Sequence, residues 1–223
     1  FIFQDADHHD RVVILYSRRK AFLRSYFLQY SLQERRRVQT VSVDLNAGYV
    51  NLIPSLFPNA KIIIDRFHVV QMAQRSLNEA RLAVAKQYDK SSLEYRMLKR
   101  YWRLFDKPFT ELDATHMFYR GHLRRCLTSQ LIVTKSLALN SRLTHVYHAY
   151  QNILTAIQNH NPQLMTRTIQ RYHSQQCAMD TTIASFKHNL TAVDNALNSH
   201  YSNGPLEGIN RKIKVIGRTA YGY

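Results

Sequence analysis

The run Ile62-Ile63-Ile64 is the feature of this sequence that most restricts its fold. An unbroken series of β-branched residues is typical of a parallel strand that is buried on both faces of its sheet. A helical pattern follows at once, because apolar residues recur on one face at Val70, Ala73, Leu77, Ala80 and Val84. A buried parallel strand followed directly by a helix predicts an α/β fold.

Three further short runs predict strands. Phe1-Ile2-Phe3 and Arg11 to Tyr16 flank the turn Asp7-His8-His9-Asp10, which indicates an antiparallel hairpin. Val38, Val41 and Val43 indicate a third strand that ends at Asp44. Between the hairpin and this strand, one helix is predicted from Phe22, Leu23, Tyr26, Phe27 and Tyr30, with the basic cluster Glu34-Arg35-Arg36-Arg37 at its end.

The strand signals fade between residues 85 and 200, and helical patterns replace them. Two apolar stripes stand out, one of Leu143, Val146, Tyr150, Ile153 and Ile157, the other of Ile183, Phe186, Leu190, Val193 and Leu197. We therefore predict three parts: a first core segment at 1–84, an all-helical insertion at 85–200, and a returning helix at 201–223. Aromatic residues of the insertion such as Trp102 are expected in its core, with stacking on DNA as the alternative.

The last segment begins with a helix-start signal, Asn203-Gly204-Pro205. An apolar stripe follows at Leu206, Ile209, Ile213, Ile216 and Ala220. At 100° per residue, a second stripe falls on nearly the opposite side of the helix and consists of Glu207, Arg211, Lys214 and Arg218. The pattern predicts a helix that packs on a core and presents one carboxylate beside three cations.

The charge balance indicates a polyanionic partner. Lys and Arg number 31 against 15 Asp and Glu, which gives a net charge of +16 and a pI near 10.1. An excess of this size is typical of proteins that bind nucleic acid. The two cysteines, Cys126 and Cys177, fit a reduced cytoplasmic protein, and the sequence has no apolar run of the roughly 18 residues that a membrane span needs.

Carboxylates end two of the predicted strands, at Asp44 and Asp65. The carboxyl ends of parallel strands lie along one edge of a sheet, where repelling anions usually require a divalent cation. Glu207 would complete a set able to hold two Mg²⁺ ions about 3.5–4 Å apart. Structural roles stay open. Asp65 and His68 could cap the following helix, and the helix dipole alone could favour Glu207 in a first turn.

Longer blocks carry a family resemblance. The segments 41–49 (VSVDLNAGY), 56–61 (LFPNAK) and 64–70 (IDRFHVV), with 202–214 (SNGPLEGINRKIK) and 218–223 (RTAYGY), resemble bacterial insertion-sequence DDE transposases of the ISL-three group. The resemblance implies an RNase H-like mixed sheet, of which strands two to five are present. It also implies that Asp44 is the second acid of the catalytic triad and Glu207 the third. Asp65 and His68 match a supporting Asp-x-x-His signature.

The activity that the resemblance implies is metal-dependent cleavage of double-stranded DNA at element ends, followed by 3′-hydroxyl attack on target DNA. Two Mg²⁺ or Mn²⁺ ions would be bound by Asp44 and Glu207. Arg211, Lys212, Lys214 and Arg218 would hold DNA phosphates, and a dimer or larger assembly is expected on DNA.

The first catalytic Asp of the family belongs on strand one, which would precede Phe1. We therefore expect the 223-residue chain alone to be inactive and poorly stable, since strand one is central in this sheet. Two other functions stay open: an RNase H-like nuclease or resolvase without strand transfer, and a DNA-binding remnant without metal chemistry.

Overall fold

The structure, a computed structural model, describes residues 2–5, 12–45, 47–199, 208, 215–216 and 218–219. The chain forms two compact units, one of Phe1–His68 with Asn198–Tyr223 and one of Val69–Leu197. Helices and small sheets are both present, so the predicted α/β class is confirmed. The RNase H-like arrangement, including strand one and its position, stays a prediction, as do the domain boundaries after residues 84 and 200.

Ahead of residue 65, the described part of the first unit contains two small sheets and four short helices. Strands β1 and β2 pair antiparallel, with Ile2 opposite Ile14, which confirms the predicted hairpin. Strands β3 and β4 pair parallel, with Val43 opposite Ile64. In chain order the elements are β1 Ile2–Gln4, β2 Val12–Ile14, α1 Lys20–Phe27, α2 Leu32–Arg36, β3 Thr40–Val43, α3 Ala47–Val50, α4 Ile53–Leu56 and β4 Lys61–Ile64.

Strand β4 confirms the interpretation of the isoleucine run. Ile63 and Ile64 are buried, with 5% and 0% of their surface exposed. Burying each such side chain contributes about 1.5–3 kcal/mol, so this pair fixes the position of the strand end. The ladder continues one residue beyond the strand, because the Asp65 amide donates to the Val43 carbonyl at 3.0 Å.

The prediction of a single helix between the hairpin and β3 is wrong, since the structure has two helices there, α1 and α2. Ser31 begins α2 with a capping box: its hydroxyl accepts from the Glu34 amide at 3.2 Å, and the Glu34 carboxylate accepts from the Ser31 amide at 2.9 Å. These bonds satisfy amides at the start of a new helix and favour a break before it. Arg35 and Arg36 do lie in the last turn, as predicted.

Helix α5 begins in the first unit and continues through the start of the second. The second unit then has seven more α-helices, one short 3-10 helix and two short strands among its described residues. In chain order the elements are α5 Arg66–Ala85, α6 Leu93–Arg100, α7 Trp102–Asp106, the 3-10 helix Phe109–Glu111, β5 Phe118–Arg120, β6 Arg125–Leu127, α8 Ser129–Leu137, α9 Ser141–Gln158, α10 Pro162–Arg171, α11 Ala178–His188 and α12 Leu190–Leu197.

The prediction of an all-helical insertion is wrong at β5 and β6, which form an antiparallel hairpin. Each strand has three residues, too few for an alternating apolar pattern to be recognised in the sequence. Packing holds the hairpin in place instead. Leu123 and Leu127 join a buried cluster with Met97 of α6 and Ile132 of α8.

The helical stripes are largely confirmed. Leu143, Val146, Tyr150 and Ile153 are buried along α9. The second stripe is divided between α11 and α12 at Asn189, whose amide bonds to the Ser185 and Phe186 carbonyls. Trp102 is not in the core: it is 36% exposed, and the Arg103 guanidinium lies 4.7 Å from its ring centre.

Most of the predicted C-terminal helix, including Glu207, lies outside the described residues. Val215 and Ile216 are helical and exposed, Ile216 at 63%, so the predicted burial of Ile216 on a core is wrong. Within the described part of the chain, none of the helices combines the length and the apolar character needed to cross a membrane.

Asp180 at the start of α11 gives the second unit a pH-dependent stability. Its carboxylate accepts from the Tyr172 hydroxyl at 2.8 Å, the Ser174 hydroxyl at 2.5 Å and the Gln175 amide at 3.0 Å. Burial raises the pKa of Asp180, but these hydrogen bonds and that of the Cys177 amide outweigh it and hold the pKa below its ordinary value. A depressed folded pKa contributes stability above the unfolded pKa and loses it as the pH falls.

We expect Asp180→Asn to lower the free energy of unfolding at pH 7 by about 1–2 kcal/mol, as for other lost helix-start contacts. The difference from wild type should shrink as the pH falls below about 4, because the carboxylate of the unfolded wild-type chain then takes up a proton while the folded one is still charged. Trp102 is the single tryptophan of the chain and lies in this unit, so its fluorescence in urea measures the effect. An equal difference at pH 7 and pH 2.5 would contradict it.

Candidate metal centre

Three polar side chains meet where β3 and β4 end. Asp44 follows the last residue of β3, Asp65 follows the last residue of β4, and His68 lies in the first turn of α5. The parallel pairing of Val43 with Ile64 places both strand ends at the same edge, which brings the two carboxylates together. All three residues belong to the first compact unit.

One nitrogen of His68 lies between the two carboxylates. Its Nδ1 is 3.1 Å from Asp44 Oδ1 and 3.2 Å from Asp65 Oδ2. A single ring N–H cannot donate at full strength to both oxygens. Two acidic groups therefore lie around one imidazole. Their combined negative charge favours the binding of a cation at this point.

The two carboxylates differ in exposure. The side chain of Asp65 is 4% exposed, that of Asp44 52% and that of His68 28%. Asp65 Oδ1 accepts from the Phe67 amide at 3.1 Å, so this residue does cap the start of α5, while its Oδ2 faces His68. Asp65 thus caps the helix and contacts His68 at the same time, and Asp44 is the carboxylate that solvent and large ligands can reach.

The donor set suits a divalent cation. Asp44, Asp65 and His68 each offer one ligand atom, and these atoms lie within 4.8 Å of one another. Carboxylate oxygens are the ligands that Mg²⁺ prefers, and Mn²⁺ also takes an imidazole nitrogen. Two anions and one aromatic nitrogen therefore fit Mg²⁺ or Mn²⁺ better than a cation that selects thiolates.

The structure brings together three of the four predicted site residues. Glu207 lies outside the described residues, as do Arg211, Lys212 and Lys214, so their predicted roles stay predictions. Arg218 is exposed. Phe67 was not predicted as a site residue, yet its ring is 55% exposed and lies 5.8 Å from that of His68, centre to centre. Phe67 does not belong to the apolar stripe of α5, and this feature of the sequence could have indicated an exposed ring.

A family model and one curated relative point to transposases, and a second curated relative carries another name. The sequence model of a family described as transposase, the DDE transposases of the ISL3 type, matches residues 1–223. The transposase for insertion sequence element IS1001 of Bordetella parapertussis is 27% identical over 201 residues, which are 90% of this chain and 48% of that protein. A protein of Lactococcus lactis subsp. lactis named ATP-dependent protease is 36% identical over 101 residues, 44% of this chain and 31% of that protein.

The chain thus spans less than half the length of either curated relative. No solved structure matches it significantly.

Proposed function

The chain belongs to the ISL3-type DDE transposase family, and we propose that it supplies part of a catalytic domain that cuts double-stranded DNA at element ends and joins the cut strands to target DNA. The observation that carries this proposal is the meeting of Asp44, Asp65 and His68 at the ends of two parallel strands. The net charge of +16 supports a DNA substrate.

In this proposal, Asp44 and Glu207 are the direct ligands of Mg²⁺ or Mn²⁺, with two ions in the intact site. Asp65 and His68 support them: the buried Asp65 holds His68, and His68 Nδ1 orients the exposed Asp44 at 3.1 Å. When bound, the cations polarise the reacting phosphate and lower the pKa of a bound hydroxyl.

DNA contacts are assigned to the basic side of the C-terminal segment. Arg211, Lys212, Lys214 and Arg218 would hold phosphates, which makes affinity fall steeply with salt. Joining two element ends to one target needs at least two active sites, so a dimer or larger assembly on DNA forms part of the proposal.

An RNase H-like nuclease or resolvase would use the same carboxylates, and its products are cut but never joined. A DNA-binding remnant would need no carboxylate cluster, and the 4.8 Å grouping of Asp44, Asp65 and His68 favours a metal site over it. An ATP-dependent activity is not proposed, because these 223 residues contain no Gly-x₄-Gly-Lys-Ser/Thr phosphate loop.

The test uses the product of the complete coding sequence and a plasmid that carries the DNA flanking the gene as element ends. We expect cleavage at the element ends and joined strand-transfer products with Mg²⁺ or Mn²⁺, and neither with EDTA. Gel analysis of labelled ends separates the outcomes. Cleavage without any joined product would favour the nuclease, and cleavage that persists in EDTA would refute the metal site.

A further inference from the structure

The β5–β6 hairpin of the second unit presents an aromatic surface to solvent. Met117, Phe118 and Tyr119 are 61%, 52% and 68% exposed. Tyr119 pairs with Cys126 across the strands, and Phe118 pairs with Leu127. Since paired residues share a face, Leu127 marks the side that packs on the buried cluster, and Tyr119 lies on the other side with the exposed Cys126.

The hairpin is also strongly basic. Arg124 and Arg125 are exposed at the end of the turn and the start of β6. Arg120 is fixed in place: its guanidinium donates to the Leu127 carbonyl at 3.3 Å and to the Ser129 hydroxyl at 3.0 Å, and lies 5.4 Å from the Phe118 ring centre.

Acidic residues are missing from a long stretch of sequence around the hairpin, since residues 114–179 contain no Asp or Glu. Asp113, which precedes the stretch, accepts from the backbone amides of Thr115 and His116 at 2.9 and 2.8 Å and so closes its own loop. The positive charge of the hairpin is therefore not balanced by neighbours in sequence, which suits a polyanion.

A surface groove adjoins the exposed aromatic strand. Its volume is about 330 Å³, and its walls are Ala114, Thr115, Met117, Thr128, Gln130, Leu131 and Thr134. Hydroxyl and amide groups alternate there with apolar side chains, and no wall residue carries a charge. Such a lining matches the polar edge and apolar face of a nucleobase better than it matches a phosphate.

We propose that this hairpin binds an unpaired segment of DNA, with a base stacked on Tyr119 beside the groove and phosphates held by Arg124 of the turn. The inference rests on the proposed function, because a staggered cut at an element end would leave unpaired DNA there. An exposed aromatic ring can stack only on a base whose face is free, so single strands are preferred over duplex. Stacking of this kind is sequence-tolerant, because every base has a π-face.

The experiment measures binding of the 223-residue chain to a labelled single strand and to the matching duplex by fluorescence anisotropy, in EDTA. We expect tighter binding of the single strand. Tyr119→Thr, which keeps a strand-forming residue, should weaken single-strand binding about tenfold and leave duplex binding within about twofold.

Removing the charge of Arg124 should weaken binding of both DNAs and make it less salt-dependent. In Arg124→Gly, the slope of log affinity against log salt should fall by about one. Glycine suits position 124, because Arg124 has a φ of 52° in the left-handed region. Matched controls are Tyr16→Thr, at a tyrosine 90% exposed in the other unit, and Lys86→Gln, at an exposed lysine after α5.

A second measurement needs no substitution. Cys126 shares the face of Tyr119 and is exposed, whereas Cys177 is half-buried elsewhere in the unit. Bound single strand should slow the alkylation of Cys126 and leave that of Cys177 unchanged, as read by mass spectrometry. The proposal is overturned if bound single strand leaves the alkylation of Cys126 unchanged, or if the chain binds both DNAs with equal affinity. It is also overturned if Tyr119→Thr binds single strand as tightly as wild type.

The outcome is separable from that of the proposed function, because binding in EDTA involves no cleavage. If the protein cuts and joins DNA but the hairpin variants bind DNA like wild type, only the proposed role of the hairpin is refuted. Weakened binding by the variants in a protein that never cuts DNA would refute the transposase chemistry alone.

Discussion

We expect Asp44→Asn to lower the rate of cleavage at the element ends at least about a thousandfold, which corresponds to about 4 kcal/mol of lost stabilisation of the transition state. The substitution keeps the shape of the side chain and removes the negative charge. Asp44 is the carboxylate of the cluster that reaches solvent, with 52% of its side chain exposed. Because it lies outside the core, the loss should appear in the chemistry and not in the folding.

DNA affinity should stay within about twofold of wild type in the same variant, since phosphate contacts by cations dominate binding. Glu207→Gln is expected to behave in the same way. Asp89→Asn is the matched control, because Asp89 is an exposed aspartate in the second unit and should keep full cleavage activity. Full activity of Asp44→Asn would remove the residue from the site.

Asp65 and His68 should give a different pattern. Asp65 is buried and also caps α5, so Asp65→Asn should reduce both cleavage and stability. His68→Gln retains a polar group but loses the ring nitrogen that meets both carboxylates. A cleavage defect without loss of stability in His68→Gln would identify it as a positioning residue.

The part of the site that could be predicted from sequence is the part set by strand periodicity. The run of isoleucines indicates a buried parallel strand, and parallel strands align their carboxyl ends, so Asp44 and Asp65 were expected at one edge. The contact between His68 and Asp44 could not be predicted in this way. It depends on the direction in which α5 leaves β4, which is a property of packing and not of local pattern.

The errors have two origins, one local and one in packing. Ser31 and Glu34 divide a helix that apolar spacing alone had joined, because the capping bonds outweigh the continuity of the stripe. The β5–β6 hairpin has strands too short to be recognised and is held by Leu123 and Leu127 against residues of α6 and α8. Contacts between distant segments decide both the hairpin and the exposure of Trp102.

Arg81→Ala should destabilise the second unit by about 3–5 kcal/mol, the usual cost of removing one partner from a buried charge network. Arg81 is 4% exposed on α5. Its guanidinium donates to Asn78 Oδ1 at 3.2 and 2.9 Å and also donates to the Leu98 carbonyl. Alanine would leave that carbonyl without this donor and open a cavity beside Phe105, whose ring centre lies 6.0 Å from the guanidinium carbon.

Asp106 makes the loss larger. Burial lowers the pKa of Arg81, and the attraction of Asp106 opposes that shift. Burial likewise raises the pKa of Asp106, against a hydrogen bond from Gln74 and the attraction of Arg81. Among the described residues, Asp106 Oδ1 is buried without a hydrogen-bond partner, so the attraction of Arg81 helps to keep this carboxyl group charged. Removing the cation leaves a buried carboxyl group that must become neutral or draw in water.

Urea unfolding at pH 7, followed by the fluorescence of Trp102 in the adjacent α7, measures this loss. Arg81→Met, which nearly fills the same volume, separates packing from charge and should cost about 2 kcal/mol less than Arg81→Ala. Adding Asp106→Asn to Arg81→Met should recover part of the remaining loss, because the uncompensated charge is then gone. If Asp106→Asn has the same effect in Arg81→Met as in wild type, the two groups are not coupled and the cost of Arg81→Ala comes from lost packing and lost hydrogen bonds.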